Sequence, residues 1–254
     1  MYKEIGVLLL ILTLAGCGDQ KTVTGPTGPQ GPPGPDDIQV SLQNGVFPSA
    51  SYSGELDTWL DSANAGTPQN GASYRRVKVG STVSLTEPGL NYGRVILRFD
   101  ISSIPVNAIV STVRLLMTTE SSTNLGSSSV TVGLHTLSSS LSGGCSWTSS
   151  ATWDLYGTGS WSNCDSDTSD GQKGMYDSTT LSTVVFNSSY TGVSKVIEYA
   201  IPASVVQGWI SGSNLGLVLV SEGEFQSVPA ANVDFYPFNS VTATNNPQLV
   251  VTYE

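Results

Sequence analysis

Gly93-Arg-Val-Ile-Leu-Arg-Phe-Asp-Ile-Ser-Ser-Ile-Pro105 reads as a strand that runs into a turn, and a second apolar stretch follows at once over 109–118. In an extended chain Val95, Leu97 and Phe99 share one face, while Ile96 and the stem of Arg98 take the other. Apolar positions on both faces predict a central strand covered on both sides. Arg98, set among core positions, is expected to pair with a buried acid, and Asp100 to cap the turn.

From residue 38 onward the texture is the same: short apolar alternations broken by Gly, Asn, Pro and Ser. The pattern predicts strands over 58–60, 76–79, 95–99, 109–118, 130–137, 183–186, 195–199, 215–220, 233–236 and 248–253. One segment departs from it. In IPASVVQGWISG (201–212), Val205, Val206, Trp209 and Ile210 recur at helical spacing, Pro202 suits a first helical position and Gly212 a stop. About ten strands and one short helix predict an all-β, jelly-roll-like β-sandwich, larger than a seven-stranded immunoglobulin domain.

The chain has 254 residues and a formal charge of -10, and only 12% of its residues are charged. An average soluble protein carries about 25%, so Ser, Thr, Asn and Gly replace much of the usual charge, as suits an extracellular β-protein. An acidic surface offers nucleic acid and anionic lipid headgroups no counter-charge, so neither is expected as a partner.

Residues 1–37 stand outside that pattern. Lys3 precedes an apolar run over 5–14, too short to span a bilayer, and Leu14-Ala15-Gly16-Cys17 follows. The tetrapeptide resembles the bacterial lipobox, which implies a signal peptide over 1–16 and lipidation of Cys17. Gly18 rather than Asp points, by resemblance to lipoproteins of diderm bacteria, to the outer membrane or cell surface. Gly25-Pro-Thr, Gly28-Pro-Gln, Gly31-Pro-Pro and Gly34-Pro-Asp are collagen-type triplets in register. Only Gly fits the axis of a triple helix. Residues 17–37 are therefore expected to form either a stiff polyproline spacer of about 35 Å or a trimerising stalk. The domain over 38–254 would accordingly be a monomer or part of a collagen-type homotrimer.

In the region 145–177 three readings stay open. Cys145 and Cys164, with eighteen residues between them in an exported chain, are expected to form a disulfide. A loop of that size would contribute about 3 kcal/mol in the chain-entropy account. The loop holds Trp147, Trp153, Tyr156 and Trp161, and rigid aromatic loops stack on sugar rings; packing beneath the loop is the other reading. Asp165, Asp167 and Asp170 in a Gly-containing loop resemble an oxygen-rich calcium site, yet the spacing departs from the EF-type loop, and a solvated acidic turn is the alternative.

DTWLDSANAG (57–66), Asn70-Gly71, RRVKVG (75–80), GRVILRFDISSIP, TVRLLM (112–117), ATW (151–153), VVQGWISGSNLGLVLVSE (205–222) and NNPQLVVTY (245–253) arrive in the order seen in DNRLRE domains. Residues 48–254 thus resemble that disaggregatase-related family, which overlaps carbohydrate-binding modules for acidic polysaccharides such as alginate. The resemblance implies a β-sandwich without catalytic residues. DFYPFNS (234–240) departs from the family, which often carries a Ser and an acidic residue there. The family's ligand preference is therefore not carried over at that place.

Catalytic sets are sparse. His135, the only histidine, alternates with Val130, Val132 and Leu134 and is expected on an exposed strand face. Glu222 and Glu224 are expected to point to opposite faces, which leaves no gap for glycosidase chemistry. The sequence therefore predicts a non-enzymatic, lipid-anchored surface module that binds polysaccharide, with no cofactor unless calcium binds. The alternative is a structural or adhesive envelope protein with a trimerising stalk.

Overall fold

The computed structural model describes residues 37–79, 92–126, 128–138, 147–156, 175–212, 214–224 and 230–254. Among them eleven strands form: β1 (Ile38–Leu42), β2 (Glu55–Asp61), β3 (Arg75–Val79), β4 (Gly93–Phe99), β5 (Val110–Thr118), β6 (Val130–Thr136), β7 (Ser182–Phe186), β8 (Val196–Ile201), β9 (Leu217–Ser221), β10 (Ala231–Phe235) and β11 (Gln248–Tyr253). A single α-helix, α1 (Ala203–Ser211), follows β8 among the described residues. All strand pairs are antiparallel, in a four-stranded sheet ordered β1-β11-β5-β8 and a seven-stranded sheet ordered β10-β3-β4-β9-β6-β7, with β2 on the other edge of β4. The predicted β-sandwich is what forms.

β4 occupies the centre that its two-sided pattern predicts. Along one edge it pairs with β2 from Glu55↔Phe99 to Asp61↔Gly93, and along the other with β9 and, at Gly93, with Lys78 of β3. Its two faces enter different cores. Val95, Leu97 and Phe99 pack between the sheets with Leu217, Leu219, Val113, Leu115, Leu249 and Val251, all at most 3% exposed. Ile96 turns the other way, into a second cluster with Leu60, Val218, Val220, Trp147 and Trp153. The seven-stranded sheet is thus covered on both faces. The four-stranded sheet is covered on one: in β8 Val196, Glu198 and Ala200 are exposed, while Ile197, Tyr199 and Ile201 are buried. Strict alternation is what one wet face dictates.

α1 lies against β5. Val206 is fully buried, with Val205, Trp209 and Ile210 packed on the inter-sheet core. Gln207 ties the helix to the strand's entrance, its Oε1 accepting from the Val110 N–H at 2.9 Å and its Nε2 donating to the Ala108 carbonyl at 3.0 Å. Pro202 stands at the cap rather than at the first helical position. In the turn after β4, the Asp100 carboxylate accepts from the Ser102 N–H at 2.9 Å, the expected cap. β1 has no counterpart in the sequence reading, although Ile38, Val40 and Leu42 alternate with Gln39 and Ser41 at the strand period.

Gly216 enters β9 with φ +104°, and a Cβ there would lie 2.5 Å from the Leu97 carbonyl oxygen. Both the left-handed backbone and the contact with an immobile strand exclude a side chain. Gly216→Ala is therefore expected to lower unfolding free energy by about 2–3 kcal/mol. Urea denaturation measures this, and a midpoint within error of the wild type would contradict it.

Candidate functional site

The second cluster forms a layer outside the seven-stranded sheet, and the sequence-predicted aromatic residues are found in it. Trp147 is 2% exposed, and its Nε1–H donates to the Leu215 carbonyl at 2.8 Å. Trp153 is 9% exposed and stacks on Tyr92 with centroids 6.3 Å apart. Neither ring is an open platform for a sugar. The structure gives both the packing role, because β4 and β9 carry apolar residues on this face and a large aromatic area covers them. Tyr156 is half-buried at the edge of the same cluster. Trp161, Asp165, Asp167, Asp170, Cys17 and the Cys145/Cys164 pair lie outside the described residues. Among the described residues no three His, Cys, Asp or Glu side chains gather in a way that holds a metal.

Within this layer sits an ionic arrangement that sequence periodicity assigned otherwise. Arg94 is fully buried, with its guanidinium 4.8 Å from the Trp153 ring centroid and 5.2 Å from that of Tyr176. Its Nε and Nη2 donate to the Glu224 carboxylate at 2.9–3.1 Å. A planar guanidinium between aromatic faces, closed by a carboxylate, satisfies a charge that burial would otherwise penalise.

His135 corrects its expectation. It does point away from the inter-sheet core, but that face is covered, and the residue is 3% exposed. Nδ1 lies 2.9 Å from the Asp177 carbonyl, Nε2 3.3 Å from Glu222 Oε1, and Tyr176 meets the ring edge-on at 4.9 Å. A carbonyl can only accept, so Nδ1 carries the hydrogen. Glu222 also accepts from Thr180 Oγ1 at 3.2 Å. Nδ1 thereby holds the 175–180 segment on the sheet directly, and Glu222 stands between the ring and Thr180. Glu222 and Glu224 reach the same outer face, not opposite ones, as residues two apart on an extended chain do. Gly133 was the available signal. A Cβ there would meet Glu222 Oε1 at 1.8 Å, and an isolated Gly in a strand marks such close approach.

Arg98 is the second correction. It has no carboxylate partner among the described residues; half-buried, its guanidinium lies 5.4 Å from the Trp147 ring centroid. Burial holds it below the ordinary arginine range. The other described arginines are matched: Arg75 with Asp57 at 2.7 Å, Arg76 with Asp234 at 2.6 Å, Arg94 with Glu224 and the exposed Arg114 with Glu198 at 3.2 Å. Lys78 meets Asp61 at 2.9 Å, and Lys195 lies 4.6 Å from the Tyr190 ring centroid. In an acidic chain, a partly exposed cation beside an aromatic ring, with no acid paired to it among the described residues, is the arrangement here that suits an anionic ligand.

No family model matches the chain, and no curated protein matches it either.

Trp147→Ala removes a fully packed ring and its hydrogen bond, and is expected to cost about 3–5 kcal/mol. Chemical denaturation reads this directly; a loss below about 1 kcal/mol would mean that the ring is not part of the core.

Proposed function

We propose that the chain is a non-catalytic module of DNRLRE type, carried on the bacterial cell surface or outer membrane by a lipid on Cys17, that binds polysaccharide. The observation that carries the reading is Arg98, a half-buried cation with no carboxylate partner among the described residues, set against the Trp147 ring. A uronate or other acidic sugar supplies the missing anion, and the planar guanidinium can hold a carboxylate with two hydrogen bonds. Buried Trp147 then acts beneath the site, holding Arg98 in place. Tyr156 at the edge of the cluster and Trp161 in the following segment are the residues proposed to stack on sugar rings. The apolar run over 5–14 with Leu14-Ala-Gly-Cys17 supports the anchor, and the Gly-Pro triplets support a spacer that carries the domain away from the lipid.

The same triplets favour a second reading, a structural or adhesive envelope protein whose stalk trimerises. Solution mass separates the two, since a trimeric full chain supports the stalk and a monomer removes it.

Retention of the full chain on a panel of acidic and neutral polysaccharides tests the binding reading. The wild type is expected to be held by a uronate-containing polymer, and Arg98→Gln to bind at least tenfold more weakly with an unchanged thermal midpoint; Arg98→Lys should fall between. Absence of retention on every polymer sinks the binding module. Retention unaltered in Arg98→Gln places recognition elsewhere.

A further inference from the structure

Between the sheets, at the start of β2, lies an acid with no salt-bridge partner among the described residues. Glu55 is 3% exposed, and neither carboxyl oxygen has a hydrogen-bond donor among the described residues. Its peptide groups are held: the Glu55 N–H donates to Asn44 Oδ1 at 3.0 Å, and Asn44 Nδ2 donates to the Glu55 carbonyl at 3.4 Å. The side chain is therefore kept inside by its own backbone.

Among the described residues, the charged and titratable groups nearest Glu55 make their hydrogen bonds elsewhere. Arg75, from β3, directs its Nε to Asp57 and its other donors to the carbonyls of Asn70, Ala72 and Tyr74. Asp57, two residues along β2, receives Arg75 on one oxygen and the Phe238 N–H on the other at 2.9 Å. Tyr52, from the preceding turn, donates its hydroxyl to the Asp100 carbonyl at 3.0 Å, and the Asp100 carboxylate takes the Ser102 N–H. A carboxylate at Glu55 would sit in a low-dielectric interior beside Asp57, with neither oxygen in hydrogen-bond geometry to a donor among the described residues. A carboxylic acid there escapes most of that penalty.

We infer that Glu55 is kept as a neutral carboxylic acid in the folded domain, and that its ionisation loosens the 43–55 turn, making this end of the sandwich a pH-sensitive latch. Burial first, and the Asp57 charge second, push the Glu55 carboxyl well above the usual carboxylate range, with the Asn44 backbone N–H and then Arg75 opposing. Asp57 is pushed the same way by burial and drawn back by Arg75 and the Phe238 N–H. The direction of the effect follows. An acid with a folded-state pKa above its unfolded value binds its proton more tightly in the folded chain. Stability therefore falls as pH rises from the unfolded-chain value of about 4.3 towards the folded-state value, and the loss is constant above that.

Urea unfolding of the full chain and of Glu55→Gln at pH 5, 7 and 9 tests the latch. Gln keeps the shape and cannot ionise, so the ratio of the wild-type to the variant unfolding constant is expected to rise at least tenfold between pH 5 and pH 9. A ratio independent of pH overturns the inference. Infrared spectra of the wild type supply a reading that does not depend on the variant folding: the carbonyl stretch of a protonated, buried carboxyl group is expected at pH 7. Its absence, or its persistence in folded Glu55→Gln, overturns the assignment to Glu55.

Discussion

Two-sided burial of β4 is the constraint on which the other elements depend. A strand that is apolar on both faces needs a layer above and a layer below, and it needs neighbours on both edges to satisfy its peptide groups. The four-stranded sheet and α1 supply the first layer, and the segments carrying Trp147, Trp153 and Met175 supply the second. β2 and β9 supply the edges. The outer layer is therefore structural before it is functional, because Ile96, Val218 and Val220 would be open to water without it.

The ions follow from the same arrangement. Because the outer face of the seven-stranded sheet is covered, each polar residue on it must be matched or must reach the rim. Arg94 is matched by Glu224, and His135 by Glu222 and the Asp177 carbonyl. Arg98, four residues along the same strand and face from Arg94, comes near the rim beside Trp147 and stays partly in water. The difference between two similar residues is thus one of depth, and the proposed ligand site is where the cover thins.

Strand positions and the helix were legible in sequence because they rest on local periods of two and 3.6 residues, and the alternation in 93–99 carried the central strand with them. What lies over a face was not legible. Correct parity at His135 gave the wrong exposure, since the cover comes from residues 175–180, some forty positions away. The partner of Arg98 was assigned by the same local reasoning, whereas the choice between Arg94 and Arg98 is made by a turn after β9. Glu55 and Asp57 went unread for a related reason: acids at alternating positions read as a wet face, and here that face is the interior.

The Asn44 carboxamide has a consequence for association between molecules. Among the described strands β2 pairs with β4 alone, so its other edge is the kind of edge that can serve as a template for a second chain. At Glu55 the template begins already occupied, because one side-chain amide copies the donor and acceptor of an incoming strand. Asn44 is itself held from behind, its carbonyl accepting from Asn246 Nδ2 at 3.0 Å just before β11. A neighbouring molecule seeking to extend the sheet at Glu55 must first displace a plug tied to the residue before the last strand of the domain.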